Sequence, residues 1–267
     1  MAAGNAPGGS RVDACLASSA SGLPVTANAV AVSEYLGSAG FSPAAVIDTG
    51  GAAMVLDLSA GSLALGEPLQ SFPVQRFSEL LQRALANAGC RFAFGRYGEH
   101  RELYNNQNFH DAGSGERRSI HMGVDLFCAA GTAVCAPLNA EVVVVANNAA
   151  ELDYGPMLIL RHSTDSGDAF YTLYGHLDPG CLAQMSPGRQ VAAGERIAAV
   201  GSPPENGNWP PHLHFQIILD LLELGADFPG VAAPGQRDAW LALSPSPAPF
   251  FPECDPAALN CDVSGAG

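Results

Sequence analysis

Two of the chain's seven histidines stand two residues apart in the stretch "PPHLHFQI", which runs from Pro210 to Ile217. Because a strand turns successive side chains to opposite faces, His212 and His214 would share one face with Gln216. The apolar side chains between them would face a core. Two neighbouring imidazoles are better suited to binding a metal or moving a proton than to packing. The spacing therefore predicts a chemical role for this strand.

Two further places in the same region carry polar groups of a matching kind. In "HMGVD", His121 and Asp125 are four residues apart and would share a strand face, with Gly123 leaving open space beside both. In "LYGHLD", His176 stands at the end of a predicted strand. Two histidines and one carboxylate, with one coordination position open to water, form a recurring catalytic zinc arrangement.

Zinc in such a site lowers the pKa of its water to about 7 and polarises a carbonyl group. Amide hydrolysis then needs a base for the water's proton and a donor for the oxyanion. The four candidate imidazoles and the one carboxylate match this requirement in kind and number. Spacing alone does not tell which imidazoles bind the metal.

The residues that would carry this chemistry lie among short predicted strands. Six segments have strand length and composition, and Gly- and Pro-containing turns separate them. They are "HMGVDLFCA", "EVVVVANN", "PMLILRHS", "AFYTLYGHL", "RIAAVGS" and "HLHFQIIL". No helical pattern intervenes, so the sequence favours an antiparallel, mainly β arrangement over βαβ units.

The composition of the chain changes along its length and predicts four parts. They are a flexible leader at 1–30, a small α/β N-terminal appendage at 31–117, a β-sheet domain at 118–244 and a Pro-rich tail at 245–267. Within the appendage, residues 73–88 predict a helix, because apolar residues recur at three- and four-residue steps between Pro73 and Gly89. Residues 99–119 are polar and predict a long loop.

Bulk properties exclude two classes of function. The net charge is −14 and all twelve basic residues are arginines, which argues against nucleic-acid binding. No apolar run reaches 18 residues, so no membrane-spanning helix is expected. The start of the chain has no apolar segment of signal-peptide length, so we expect a cytoplasmic protein, with organelle targeting as the alternative.

The chain has seven cysteines and no CxxC motif. This pattern gives no zinc-ribbon signal, and we expect mostly buried thiols in a reducing compartment. Cys128 and Cys135 are either two thiols, which we favour, or a bridge across "CAAGTAVC".

Four segments together resemble the M23 family of zinc metalloendopeptidases, which are the lysostaphin- and LytM-type peptidoglycan peptidases. They are "HMGVDLFCAAGTAVCAPLNAEVV", "YTLYGHLD", "VAAGERIAAVGS" and "PPHLHFQI", and they follow the family's order within roughly residues 118–218. The resemblance implies an antiparallel β-sheet core of the lysostaphin-like, duplicated hybrid motif type.

The resemblance also implies roles for individual residues. His121, Asp125 and His214 match the family's ligands for Zn²⁺, while His176 and His212 match its catalytic base and transition-state stabiliser. The implied activity is hydrolysis of amide bonds in a peptide or peptidoglycan-like substrate through a zinc-activated water. The alternative is a non-hydrolytic M23-like zinc module with a binding or regulatory role in a multidomain protein. A third possibility is a metal-dependent hydrolase acting on a non-peptide amide or ester.

Some features depart from the secreted members of the family. The approach to the HxH motif, "GSPPENGNWPPHLHF", is bulkier and richer in proline than is usual for the family. Its surroundings resemble M23 modules in larger fusions, where phosphotransferase-like and aminotransferase domains adjoin the module. Neither neighbour is evident in the sequence, so we expect either a stand-alone module or a fragment of a larger protein.

Several polar residues near the motifs carry weaker signals. An upstream asparagine plugs the zinc of some M23 proteins in a latent form, so Asn105, Asn106 or Asn108 is either such a ligand or an ordinary loop residue, which we favour. Gln216 is either a partner of a ligand or, as we expect, an ordinary polar strand residue. The other three histidines, which are His100, His110 and His162, read as structural residues.

Overall fold

The structure of the chain is a computed structural model that describes residues 28–50, 53–68, 73–104, 106–111 and 114–261. The predicted leader lies outside these ranges except for its last three positions, 28–30. None of the described helices has the length and apolar composition that a membrane crossing requires.

An eight-stranded sheet organises the molecule, and its strands are numbered here in chain order. From one edge to the other they are β1 (Ala53–Leu56), β2 (Phe92–Gly95), β4 (Val124–Phe127), β11 (His212–Ile218), β8 (Ala169–Gly175), β7 (Gly155–Ser163), β6 (Ala140–Asn148) and β9 (Gln190–Val191). Only the pairing of β1 with β2 is parallel, and every other neighbouring pair is antiparallel. The predicted mainly β fold class with an antiparallel core is confirmed.

Two small ladders and five short helices complete the described fold. The ladders pair β5 (Ala133–Cys135) with β10 (Arg196–Ala199), and β3 (Ile120–His121) with β12 (Val231–Ala232). The helices are α1 (Ala29–Leu36), α2 (Val74–Ala88), α3 (Cys181–Gln184), α4 (Arg237–Leu243) and α5 (Pro256–Leu259). Single 3₁₀ turns lie at Gln107–Phe109, Gly225–Asp227, Pro234–Gln236 and Ala248–Phe250.

Helix α2 covers the residues for which the sequence pattern predicts a helix. Pro73 precedes the first turn, and Gly89 ends the helix in the left-handed conformation with φ 66°, which costs a glycine little. Its buried face presents Phe77, Leu80 and Leu81. The ring of Phe77 contacts the ring of Phe127 on β4, with centroids 5.9 Å apart. This contact packs the helix against the sheet, to which the N-terminal α/β part also contributes β1 and β2.

Strand β11 divides its side chains between the core and the site. All seven residues of the strand are buried. Leu213, Phe215 and Ile217 join the main hydrophobic core. The polar side chains of His212, His214 and Gln216 alternate with them along the strand and face the other way. The strand therefore places two imidazoles on a fully buried surface at the centre of the sheet.

The Pro-rich segment that begins at residue 245 differs from the expected tail. The rings of Phe250 and Phe251 are buried, and their centroids lie 5.3 and 5.5 Å from that of Phe215. Composition suggested a solvated linker, but the two phenylalanine rings are large apolar groups that pack into the main core instead. Residues 245–261 therefore cover the sheet, and the four-part division of the chain stays a prediction.

The described cysteines are free thiols, and the preference for thiols over a Cys128–Cys135 bridge is confirmed. The expectation that most of them are buried is wrong. Only Cys181 is buried, and the other five are partly exposed. Cys15 lies outside the described residues.

Candidate active site

Strand register brings distant residues of the sequence to one place. His214 on β11 is paired with Asp125 on β4 and, across its other edge, with Gly175 on β8. His121 ends the short strand β3, and the chain then bends at Met122 and Gly123 before it enters β4. Because β3 pairs with β12 outside the large sheet, His121 can turn its ring back toward Asp125.

Three side chains form a compact triangle at this point. His121 Nε2 lies 3.0 Å from Asp125 Oδ1 and 3.0 Å from His214 Nδ1, and His214 Nδ1 lies 3.1 Å from the same Asp125 oxygen. They form a group of His, Cys, Asp or Glu side chains able to hold a metal ion within the described part of the chain. The structure thus brings together the three residues whose motifs suggested metal ligands.

The hydrogen-bond partners of the two rings decide which nitrogens carry protons. His121 Nδ1 donates to the carbonyl of Arg96 at 2.9 Å, because a carbonyl only accepts. His214 Nε2 donates to Gln216 Oε1 at 2.9 Å, and the amide of Gln216 is oriented by its own donation to Pro229 O at 3.2 Å. In the neutral rings, the two nitrogens that face each other therefore both carry lone pairs.

This arrangement tests whether the residues fit a metal ion. Two imidazole lone pairs and one carboxylate oxygen converge with no proton between them, and such a set is repulsive unless a cation joins it. Ligands bonded to one tetrahedral zinc at about 2.0–2.2 Å stand about 3.3–3.6 Å apart. The observed separations of 3.0–3.1 Å are a few tenths of an ångström shorter, so small outward shifts of the three side chains would admit the ion. His121, Asp125 and His214 fit a metal such as zinc.

Two interpretations from the sequence need correction. Gln216 is more than an ordinary polar strand residue, because its amide fixes the tautomer of His214. Gly123 does not leave open space, because a Cβ there would lie 2.6 Å from the carbonyl oxygen of Phe215 and 2.7 Å from His214 Cε1. The glycine instead lets the ring of His214 lie directly against the backbone.

The other two histidines lie beside the triangle. His176 Nδ1 donates to Asn206 O at 2.9 Å, and His212 Nδ1 donates to Pro210 O at 2.7 Å. Their ring centroids are 4.3 Å apart, and His212 Nε2 lies 3.8 Å from Asp125 Oδ1. His176 has a positive φ of 63°, a strained conformation for a residue with a side chain. Each neutral ring thus keeps an Nε2 lone pair for a proton.

Burial and neighbouring charges shift the ionisation of these groups. Burial, followed by the charge of Arg101, lowers the pKa of His121 to about 4. Burial is also the main reason that the pKa of His176 is well below its usual value and that the pKa of His212 is lowered. Burial acts to raise the pKa of Asp125, but His121 and Arg101 outweigh it and hold that pKa well below its ordinary value. Around pH 7 the carboxylate is charged and these three rings are neutral.

A buried arginine that sequence reasoning missed contacts the triangle. Arg101 NH1 donates to Asp125 Oδ2 at 2.5 Å and to the hydroxyl of Tyr104 at 3.0 Å, and its Nε donates to Glu99 at 2.8 Å. Arg101 and Glu99 are 2% and 0% exposed, although residues 99–119 read as a polar loop. The spacing of these residues carries no signal of their burial, because the partner carboxylate stands 24 positions further along the chain.

A buried tyrosine forms the opposite side of the histidine group. The ring of Tyr154 lies with its centroid 5.5 Å from that of His214 and 6.0 Å from that of His176. Two glycines make room for it, because a Cβ on Gly175 would lie 2.6 Å from the ring and a Cβ on Gly230 would lie 2.5 Å from the hydroxyl. Close backbone approach at these glycines therefore determines where the ring rests.

The five motif residues line one pocket with a volume of about 180 Å³. Apolar and aromatic side chains form much of its wall, and they include Phe77, Leu103, Tyr104, Phe109, Phe127, Leu152, Trp209 and Val231. The side-chain amides of Asn106 and Asn108 both donate to the carbonyl of Glu151 at 2.9 Å and so join two loops, and Asn108 also lines the pocket. Asn105 lies outside the described residues.

The remaining histidines lie apart from this group. His162 bonds Thr172 Oγ1 at 2.7 Å and Asn139 O at 3.2 Å within the sheet, which is a structural arrangement. His100 and His110 take part in isolated β-bridges. The interpretation of these three as structural residues agrees with their placement.

Comparison with known proteins gives the class of the segment that carries the site. Residues 119–222 match the model of Peptidase family M23. The resemblance drawn from the motifs is thereby confirmed over this segment. None of the curated proteins gives a significant match to the chain.

Solved structures with similarity to the chain include three bacterial peptidases. A zinc-containing peptidase from Vibrio cholerae is 27% identical over 42% of this chain and 31% of its own, with a TM-score of 0.31. The catalytic domain of lysostaphin from Staphylococcus simulans is 25% identical over 43% of this chain and 77% of its own, with a TM-score of 0.29. A point mutant of the catalytic domain of the prophage-encoded M23 protein EnpA from Enterococcus faecalis is 20% identical over 48% of this chain and 80% of its own, with a TM-score of 0.32.

These likenesses are partial. The chain spans less than a third of the length of the Vibrio cholerae peptidase. All three TM-scores are at or below 0.32, which is too low for a comparison of activities. Activity and substrate therefore rest on the chemistry of the site itself.

Proposed function

We propose that the protein is a zinc-dependent metallopeptidase that hydrolyses amide bonds in peptides of the peptidoglycan type. The observation that carries the proposal is the convergence of two imidazole lone pairs and one carboxylate oxygen, all within 3.1 Å of one another and without a proton between them. The match of residues 119–222 to Peptidase family M23 supports the choice of zinc and of a peptide substrate.

The ligand set would be His121 Nε2, Asp125 Oδ1 and His214 Nδ1. When bound, zinc supplies a Lewis acid and an acidified water to the site. The chain's own contribution is to hold these three atoms in place before the metal arrives. The carbonyl of Arg96 and the amide of Gln216 do this by fixing the tautomers of the two rings.

Proton transfer falls to the two histidines beside the triangle. His212 Nε2 lies 3.8 Å from Asp125 Oδ1 and is unprotonated in the neutral ring, so it can accept the proton of an attacking water. It can then return that proton to the leaving amine.

The developing oxyanion needs a hydrogen-bond donor. His176 Nε2 becomes a donor only when its ring takes a second proton, and burial opposes this because it lowers the pKa of His176. The roles of His176 and His212 can be exchanged. The hydroxyl of Tyr104 is a further donor that needs no such step, because it accepts from Arg101 and keeps its own proton for the pocket that it lines.

Metal analysis and a cleavage assay test the proposal together. Purified protein should contain about one zinc per chain and should cut pentaglycine or muropeptides, with activity lost on chelation and restored by zinc. His121→Ala should abolish both properties, because two ligands remain where three are needed. His100→Ala is the matched control, since His100 is exposed and lies outside the pocket. Absence of metal from carefully prepared wild-type protein would contradict the proposal.

The cleavage assay also separates this proposal from its alternative. Wild-type protein that holds zinc and cuts neither substrate would favour a non-hydrolytic zinc module. Activity on non-peptide amides or esters alone would instead keep the hydrolase and replace the substrate class.

A further inference from the structure

The two oxygens of Asp125 face different partners. Oδ1 points to the imidazole nitrogens of His121 and His214, at 3.0 and 3.1 Å. Oδ2 accepts a hydrogen bond from Arg101 NH1 at 2.5 Å. The guanidinium therefore occupies the oxygen that the ligand triangle does not use.

Arg101 is held too firmly to leave this position. Its Nε donates to Glu99 Oε2 at 2.8 Å, and its NH1 also donates to the Tyr104 hydroxyl at 3.0 Å. Its side chain is 2% exposed. Gly95 packs against the guanidinium so closely that a Cβ there would lie 2.7 Å from NH2. Rotation of Asp125 would break a charge-assisted bond to an immobile partner.

Arg101 is not needed to neutralise the buried carboxylate of Glu99. Glu99, which is 0% exposed, already pairs with Arg96 NH2 at 2.7 Å and accepts from the backbone amide of Leu58 at 2.9 Å. A buried arginine is costly to desolvate, so the burial of Arg101 beside the partly exposed Arg96 calls for another role. The bond to Asp125 Oδ2 supplies that role.

We infer that Arg101 is a positioning residue that presents Asp125 to a metal through one oxygen only. This inference rests on the proposed function only in its assumption that the triangle binds zinc. Occupation of Oδ2 keeps the carboxylate from chelating with both oxygens. It also keeps Oδ1 turned toward both imidazole nitrogens, at 3.0 and 3.1 Å.

The test compares metal binding by wild type, Arg101→Met and Arg101→Lys. Competition with a chromophoric chelator measures zinc affinity, and the visible absorption of the cobalt-substituted proteins reports coordination number. Arg101→Met should bind zinc about 10- to 100-fold more weakly, as is usual when a partner of a ligand is lost. Its cobalt bands should weaken because a released Oδ2 raises the coordination number. The zinc affinity and cobalt absorption of Arg101→Lys should lie between those of wild type and Arg101→Met, since one ammonium cannot replace all of the guanidinium's bonds.

A matched control separates this role from general loss of charge or stability. Arg189→Gln removes an exposed arginine paired with Glu195 at 2.8 Å, and it should leave zinc affinity and the cobalt spectrum unchanged. All measurements are made well below the unfolding temperature of each metal-free protein. If Arg101→Met does not fold, Arg101→Lys decides by the same criterion.

The possible outcomes distinguish this inference from the proposed function. A folded variant with wild-type zinc affinity, within about twofold, and an unchanged cobalt spectrum would overturn the role of Arg101. Wild-type protein that binds zinc but cuts no peptide would end the peptidase proposal and leave this comparison intact. Wild-type protein that binds no zinc would overturn both.

Discussion

Each imidazole of the site has one nitrogen fixed by an oxygen acceptor. Backbone carbonyls serve this purpose for His121, His176 and His212, and the side-chain amide of Gln216 serves it for His214. The opposite nitrogen of each ring is thereby left with its lone pair, for a metal or for a proton. The chemistry of the site depends on these acceptors as much as on the histidines themselves.

Stability of the metal-free protein should depend on pH through its buried rings. Burial lowers the pKa of His162 to about 4, so the folded protein binds the proton more weakly than the unfolded chain does. The contribution of the neutral His162 ring to the free energy of unfolding is therefore complete above the unfolded pKa of about 6.5. It is lost as the pH falls toward the folded pKa.

The variant His162→Gln should reduce this dependence. We expect the free energy of unfolding to change less steeply between pH 6.5 and pH 4 than in wild type, by up to about 1.4 kcal/mol per pH unit. Urea titrations of metal-free protein at a series of pH values measure the slope. Identical slopes for variant and wild type would show that His162 titrates normally in the fold.

The strands could be predicted to a much greater extent than the connections between them. The segments around β6, β7, β8 and β11 carry strand-length apolar patterns bounded by turn residues, and all four strands are present there. The local sequence is sufficient to predict these strands because their apolar residues are the ones that the fold buries. The shared face of His212, His214 and Gln216 follows from the same alternation.

What the sequence did not predict depends on contacts between distant residues. Arg101 reads as a loop residue because its partner Asp125 lies on another element, and nothing in the local pattern joins them. The rings of Phe250 and Phe251 lie in a Pro-rich segment whose composition is typical of a linker. Only the folded sheet shows that it offers them a buried place beside Phe215.

Close packing at Gly123, in the bend between β3 and β4, should make this position sensitive to substitution. Gly123→Ala would place a methyl group 2.6 Å from Phe215 O and 2.7 Å from His214 Cε1. Backbone oxygen cannot move easily, so the ring of His214 must shift. We expect zinc affinity to fall about 10- to 100-fold and the free energy of unfolding to fall by about 1–3 kcal/mol.

Chelator competition and thermal unfolding measure these two effects. Gly40→Ala is the control, because a Cβ there would meet nothing within 4 Å and its φ is not positive. If Gly123→Ala bound zinc as tightly as the control protein, the packing of His214 against this glycine would not matter for metal binding.

At the scale of the whole molecule, residues 245–261 contribute aromatic side chains to the main hydrophobic core. Phe251 is 2% exposed and packs against Phe94 on β2 as well as Phe215 on β11, with centroids 5.3 and 5.5 Å apart. Residues from the N-terminal part, the sheet and the C-terminal segment therefore share one core.

Truncation of this ring should destabilise the entire fold. We expect Phe251→Ala to lower the free energy of unfolding by about 3–5 kcal/mol, as large aromatic truncations in cores do. Pro252→Ala, next in the chain and exposed, should change it little. Thermal and urea denaturation provide the comparison. A loss below about 1 kcal/mol would mean that the C-terminal segment only rests on the surface.

The order of strands in the sheet has a consequence for how a bound ion would come and go. Strands β4, β11 and β8 occupy the third, fourth and fifth places among eight, so fraying at either edge leaves them paired on both sides. Their amide hydrogens should be among the slowest to exchange with deuterium. Asp125 and His214 would then stay in place until the entire protein unfolds. The rate of ion release would depend on movement of His121, which lies on the two-residue strand β3 outside the large sheet, and on diffusion through the pocket opening.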